Sequence, residues 1–103
     1  MSLVLYYSVA EDYKDTKFLR AFGAVVKRHR QSKGASQEHL AELAGLHRTY
    51  VSDIERGIRN LTVSSANRIA NGLSVPISTL IAEAEQYMNE VESGKRPRIN
   101  GFH

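Results

Sequence analysis

The stretch SQEHLAELAGLHRTYVSDIERGIRNLT, residues 36–62, decides the fold. Ser36 is an N-cap residue: its hydroxyl can accept from a backbone N–H left free in the first turn of a helix. Leu40, Ala41 and Ala44 then recur at spacings of one, three and four, which puts them on one face, and Gly45 breaks the segment. A second short helix is predicted over about residues 47–56, burying Val51 and Ile54, with Gly57 closing it and Thr62 capping the next. Two short helices joined by a tight glycine-containing turn make a helix-turn-helix. With Val51 and Ile54 turned inward, Arg48, Thr49, Ser52 and Asp53 fall on or near the opposite face and Tyr50 towards its edge. That face mixes donors, acceptors and a methyl group. A DNA major groove, about 12 Å wide, admits one such helix and displays base edges to it.

Outward from this centre, apolar residues keep helical spacing from Phe18 to Val91, so the expected fold class is all-α with five helices. The first helix is expected over about residues 16–32, with Leu19, Phe22 and Val26 inward and Gly34 ending it in a left-handed turn. The fourth presents Ala66, Ile69, Ala70 and Leu73 to the core, and Pro76, whose ring cannot continue a helix but fits a first turn, marks the start of the fifth. The division this implies is an N-terminal arm (1–17), a helix-turn-helix domain (18–82), an extension of the fifth helix (83–93) and a basic tail (94–103). The apolar residues 3–7 read equally as an added strand, a packing arm or an appended sequence.

At 103 residues the chain supports one domain. It has no cysteine, which excludes disulfides, thiolate metal sites and thiol nucleophiles and fits a reducing compartment. No apolar run approaches the roughly 20 residues of a membrane helix, and the start has no basic leader, so a cytoplasmic, nucleoid-associated protein with no membrane partner is expected. His29, His39, His47 and His103 lack metal-ligand spacing and read as surface residues, no serine sits in a nucleophile elbow, and the glycines stand singly. Neither an enzyme, a metal nor a cofactor is expected. Formal net charge is only +3, but between Phe18 and Gly72 nine basic residues (Arg20, Lys27, Arg28, Arg30, Lys33, Arg48, Arg56, Arg59, Arg68) face four acidic ones (Glu38, Glu42, Asp53, Glu55), a local balance of +5. Glu83, Glu85, Glu90 and Glu92 give the fifth helix an acidic surface, which phosphates would repel.

The words of residues 36–62 resemble the helix-turn-helix of the lambda repressor and Cro superfamily, xenobiotic-response-element type: the Ser-Gln opening, the Leu-Ala pair, the Ala-Gly-Leu turn and the Ile-Glu-Arg-Gly end. The resemblance covers about residues 18–82. Within it, Arg48, Thr49, Tyr50, Val51 and Ser52, with Arg59, Asn60, Leu61 and Thr62, are similar to the controller proteins of restriction-modification systems. The resemblance implies a double-stranded DNA partner. It places Gln37 against a phosphate or the first base of a half-site and makes Arg48 a base reader, whose guanidinium fork meets guanine O6 and N7 together. Thr49, Tyr50 and Ser52 complete the reading face, with core packing the alternative for Tyr50. Asp53 either accepts from a cytosine amine or pairs with a neighbouring arginine. Arg56, Arg59 and Asn60 grip phosphates. It also implies a scaffold salt bridge between Arg30 and Glu55.

One short helix reads few base pairs, so a homodimer on two half-sites is expected. Ile77, Leu80, Ile81, Ala84, Tyr87, Met88 and Val91 form an apolar stripe suited to a two-fold helix interface. The leading reading is a dimeric transcriptional regulator on a near-palindromic operator. An antitoxin-like protein, whose helix-turn-helix autoregulates while another surface holds a protein partner, is the alternative.

Overall fold

The computed structural model describes the backbone of residues 3–94 and the side chains of residues 16–94. Among them are five helices and no strand: α1 (Leu3–Ser32), α2 (Gln37–Ala44), α3 (Arg48–Arg56), α4 (Val63–Leu73) and α5 (Ile77–Glu92). The local signals act at most of the boundaries. Ser36 Oγ accepts from the His39 N–H at 3.0 Å, and Thr62 Oγ1 from the Ser65 N–H at 3.0 Å, each satisfying a donor that the helix leaves unpaired. Gly45 and Gly57 take left-handed backbone after α2 and α3, and the next N–H turns back onto the helix, Leu46 to the Ala41 carbonyl and Ile58 to that of Asp53.

Two boundaries differ from the sequence reading. The backbone of α1 is helical from Leu3, so residues 3–7 are neither strand nor irregular arm, and no break separates residue 17 from 18. His47 is the N-cap of α3 rather than its first residue and makes no side-chain cap bond, while Pro76 stands at the N-cap of α5, at the break before that helix. Ser74, a residue with no special sequence signal, ends α4 at φ 59°, where an L side chain is strained. Apart from Gly94, the basic tail lies outside the described residues.

The core forms where all five helices meet. Phe22, Val25 and Val26 of α1, Leu40 of α2, Val51 and Ile54 of α3, Ile69 and Leu73 of α4 and Leu80 of α5 are fully or almost fully excluded from solvent. Leu19, expected inside, is only half-buried, while Ala21 and Val25 take its place. The reason is that α1 packs mainly against two helices, α3 and α5, so its buried face is wider than a single stripe and rotated from the one expected. α5 lies antiparallel along α1, with Lys17 Nζ 3.6 Å from Glu92 Oε1 near one end and His29 Nε2 2.9 Å from Glu83 Oε1 further along. His29 and Glu83 are therefore not the surface groups the sequence reading made them: their side chains retain only 15% and 16% exposure, locked between the two helices. The C-terminal end of α4 is held by Lys33, whose ammonium donates to the Leu73 carbonyl.

Candidate nucleic-acid interface

α3 is held from behind and open in front. Val51 and Ile54 are buried, and Glu55, on the same side, is clamped by α1: Arg30 Nε donates to Glu55 Oε2 at 2.6 Å and Arg30 Nη2 to Oε1 at 3.0 Å, a bidentate pair. The remaining terminal nitrogen, Nη1, donates to the Ala35 carbonyl at 2.8 Å, and Gln37 Nε2 of α2 donates to Glu55 Oε1 at 3.0 Å. The Arg30–Glu55 pair thus ties together α1, the turn before α2, α2 itself and α3. Side-chain exposure is 12% for Arg30 and 3% for Glu55, so the charges interact in a weakly screened setting. The hydrogen bond to Glu55, set against desolvation, raises the Arg30 pKa above the usual arginine range and keeps the guanidinium charged.

α3 also touches α1 backbone to backbone. A Cβ at Gly23 would stand 2.3 Å from the Ile54 carbonyl oxygen, and one at Gly57 would stand 2.7 Å from the Arg20 Cα. Both glycines let the two helices approach to a distance that no other residue permits. The recognition helix is therefore fixed in tilt and height by the scaffold.

The open side carries the residues singled out in the sequence. At about 100° per residue, Thr49 and Arg56 lie opposite the buried pair, Ser52 and Asp53 flank them, and Arg48 and Tyr50 lie at the two edges. Arg48, Thr49, Arg56, Arg59 and Asn60 are exposed, whereas Gln37, Tyr50, Ser52 and Asp53 are half-buried. Among the described residues, Arg48, Thr49, Ser52, Arg56 and Asn60 make no side-chain hydrogen bond or ion pair. The others are engaged. Gln37 gives one amide N–H to Glu55, leaving its second N–H and its carbonyl oxygen for a ligand. Tyr50 packs against the core with one edge and meets the Arg59 guanidinium with its ring, 4.5 Å from the centroid. Arg59 Nη2 donates to Asp53 Oδ2 at 3.0 Å, so Asp53 takes the arginine-paired alternative left open in the sequence.

The local charge excess is smaller in space than along the chain. Arg28, counted among the basic residues, is 5% exposed; burial lowers its pKa, with Tyr87 acting in the opposite direction. Arg30 faces Glu55, Lys33 faces the end of α4, and Arg59 faces Asp53. The outward cations of the reading helix reduce to Arg48 and Arg56. No sequence signal marked Gln37 as the third member of the Arg30–Glu55 cluster, or Gly23 as the crossing point of α1 and α3, because both depend on how helices far apart in sequence come to rest.

The apolar stripe of α5 divides. Leu80 and Ala84 are 0% exposed, which makes them core residues of the single chain and removes them from any surface a partner could touch. Ile77, Ile81, Tyr87 and Met88 are half-buried, packed against the core with part of their surface free, and Val91 is 51% exposed. Tyr87, Met88 and Val91 line a groove with Lys17, Arg20 and Ala21 of α1. Among the described residues no three His, Cys, Asp or Glu come together to hold a metal, and no helix is long and apolar enough to cross a membrane.

Two short helices set by a glycine turn, the second buttressed from behind and polar in front, define a DNA-reading module, and residues 26–80 match the helix-turn-helix family. The chain belongs to that family and is a DNA-binding transcriptional regulator. Among proteins it is similar to is the control protein C.BamHI of Bacillus amyloliquefaciens, 46% identical over 61 residues that span 58% of this chain and 75% of that one. The restriction-modification controller protein C.AhdI of Aeromonas hydrophila superimposes with a TM-score of 0.59 at 40% identity, covering 60% of this chain and 94% of its own. A structure of C.Esp1396I as a nucleoprotein complex gives a TM-score of 0.64 at 38% identity, covering 69% and 92%.

Proposed function

We propose that the chain is a controller-type regulator that acts as a homodimer, placing α3 of each protomer in successive major grooves of a near-palindromic operator in the cytoplasm. The observation that carries this reading is the contrast across α3: an inner face fixed by Val51, Ile54 and the Glu55 cluster, and an outer face whose Arg48, Thr49, Ser52 and Arg56 make no side-chain hydrogen bond among the described residues. A side chain without an internal partner, carried on a rigid element, is free to exchange water for a base edge without loss of folding energy. Arg48 reads guanine through its two-pronged guanidinium, Thr49 and Ser52 offer a methyl and hydroxyls to the neighbouring bases, and Arg56 and Asn60 hold phosphates. Gln37, tethered to Glu55, presents its carbonyl at the end of the half-site. The protein works by occupancy, without turnover.

Likeness to control proteins and to a chain crystallised as a nucleoprotein complex supports this assignment. Selection of bound sites from random duplex tests it. Two half-sites with centres about 34 Å apart are expected, and Arg48→Ala is expected to relax preference at one position in each half-site, a loss of about 1–3 kcal/mol of discrimination. Failure to enrich any sequence, or an Arg48→Ala variant with unchanged preference, contradicts the reading.

A further inference from the structure

Asp53 poses a problem for a groove-reading helix. It lies about 50° from the centre of the outward face, where a carboxylate would meet the field of two phosphate strands, and it carries one of the few negative charges near the site. Its partner resolves the problem. Arg59, three residues beyond the end of α3, gives one of its N–H groups to Asp53 at 3.0 Å and lays its guanidinium plane 4.5 Å from the Tyr50 ring centroid. Tyr50 and Asp53, one turn apart on α3, form a two-point seat, one aromatic and one anionic. The arginine side chain is 43% exposed and the aspartate 19%, so the pair is formed at the surface a duplex would approach, where an ion pair contributes little to folding. A pair with little folding value on the ligand-facing side has its consequence in binding.

We propose that Asp53 is a positioning residue that sets sequence selectivity: it holds the Arg59 charge on α3 and thereby withholds it from phosphates, suppressing sequence-indifferent binding. The inference rests on the reading of α3 given above. Non-specific affinity comes from neutralising phosphates and releasing their counterions, and each phosphate neutralised adds about 0.9 to the salt slope. With Arg59 seated, a random duplex finds one cation fewer and a carboxylate in its place. In a matched operator the same carboxylate lies against base edges, where it can accept from a cytosine amine and keeps Arg59 aligned beside the bases. The pair therefore penalises the wrong complex more than the right one.

The test uses the full chain on random duplex and on its selected operator, across a series of salt concentrations, with thermal melting followed by circular dichroism. Asp53→Asn is expected to melt like the parent, bind random duplex roughly fivefold more tightly, the strength of one Coulombic contact in water, and steepen the logarithmic salt slope by about one. Its operator-to-random affinity ratio falls. Asp53→Glu, which keeps the charge, restores the parental slope, and adding Arg59→Gln to Asp53→Asn removes the extra slope. A structural role alone would shift melting and leave the slope unmoved. If Asp53→Asn leaves random-duplex affinity and slope as they were, or if the double variant keeps the steeper slope, the proposal is overturned while operator binding stands. A parent that retards no duplex at all overturns the groove-reading assignment and this proposal together.

Discussion

Glu55 sits in the last turn of the helix proposed to face DNA, yet its carboxylate is turned towards α1 and α2. Three donors, two from Arg30 of α1 and one from Gln37 of α2, are directed at it, and with 3% exposure it depends on them for solvation. Removing one member of such a pair costs more than the pair contributes, because the other charge is left in a site made for two. Glu55→Gln is expected to lower the stability of the full chain by about 3–5 kcal/mol in urea denaturation, and Arg30→Met with Glu55→Leu by much less than the sum of the single changes. A loss under about 1 kcal/mol for Glu55→Gln would show that the cluster is ornamental to folding. Arg30 itself adds no pH dependence in the working range: a cation whose pKa is raised on folding gives its stabilisation below the ordinary arginine value and loses it only as pH climbs beyond. At this scale the sequence was readable in residue type but not in partner. The Arg30–Glu55 pairing followed from family likeness, and an arginine partner for Asp53 was one of two alternatives, but that the arginine is Arg59 and that Gln37 joins Glu55 did not follow, since each is decided by the angle at which a helix or loop arrives rather than by spacing.

Between elements, the governing contact is the crossing of α1 and α3. The inward faces of α2, α3 and α4, the start of α4 and the ends of α2 and α3 could be read from caps, glycines and periodicity, because those signals act within one or two turns. The wider buried face of α1 could not, because a helix covered by two neighbours mixes two stripes, and the strained end of α4 at Ser74 has no glycine to announce it. The glycines separate conformational need from spatial need. Gly34 and Gly57 have nearly the same positive φ, 68° and 71°, but a Cβ at Gly34 meets nothing within 4 Å while one at Gly57 meets Arg20 backbone. Gly34→Ala should therefore cost only the left-handed penalty, about 1 kcal/mol. Gly57→Ala adds to it the displacement of α3 from α1, bringing the loss to about 3 kcal/mol or more. Equal losses at the two positions, measured by denaturation of the two variants side by side, would mean that the close approach is not what Gly57 provides.

For the molecule as a whole, operator recognition requires that two reading helices be held at one helical repeat of DNA, and only self-association supplies the second. The surface proposed for it is narrower than the sequence stripe, since Leu80 and Ala84 belong to the core; what remains is Ile77, Ile81, Tyr87 and Met88, each packed on one side and open on the other. Half-open apolar side chains along a rigid helix suit a two-fold contact, in which the same patch meets itself and every favourable pair occurs twice. In the proposed dimer, the packing of α5 along α1, and of α1 on α3, would transmit the dimer axis to the groove. The full chain is expected to sediment as a dimer at micromolar concentration. Ile81→Glu, which places a charge in each copy against the other, should convert it to a monomer that keeps its helical circular dichroism. Because the second half-site is then no longer held at high effective concentration, operator affinity should fall at least a hundredfold by the usual gain from linked binding, while binding to an isolated half-site is retained. A parent that sediments as a monomer, or an Ile81→Glu chain that remains dimeric, would place the two-fold contact elsewhere or remove it.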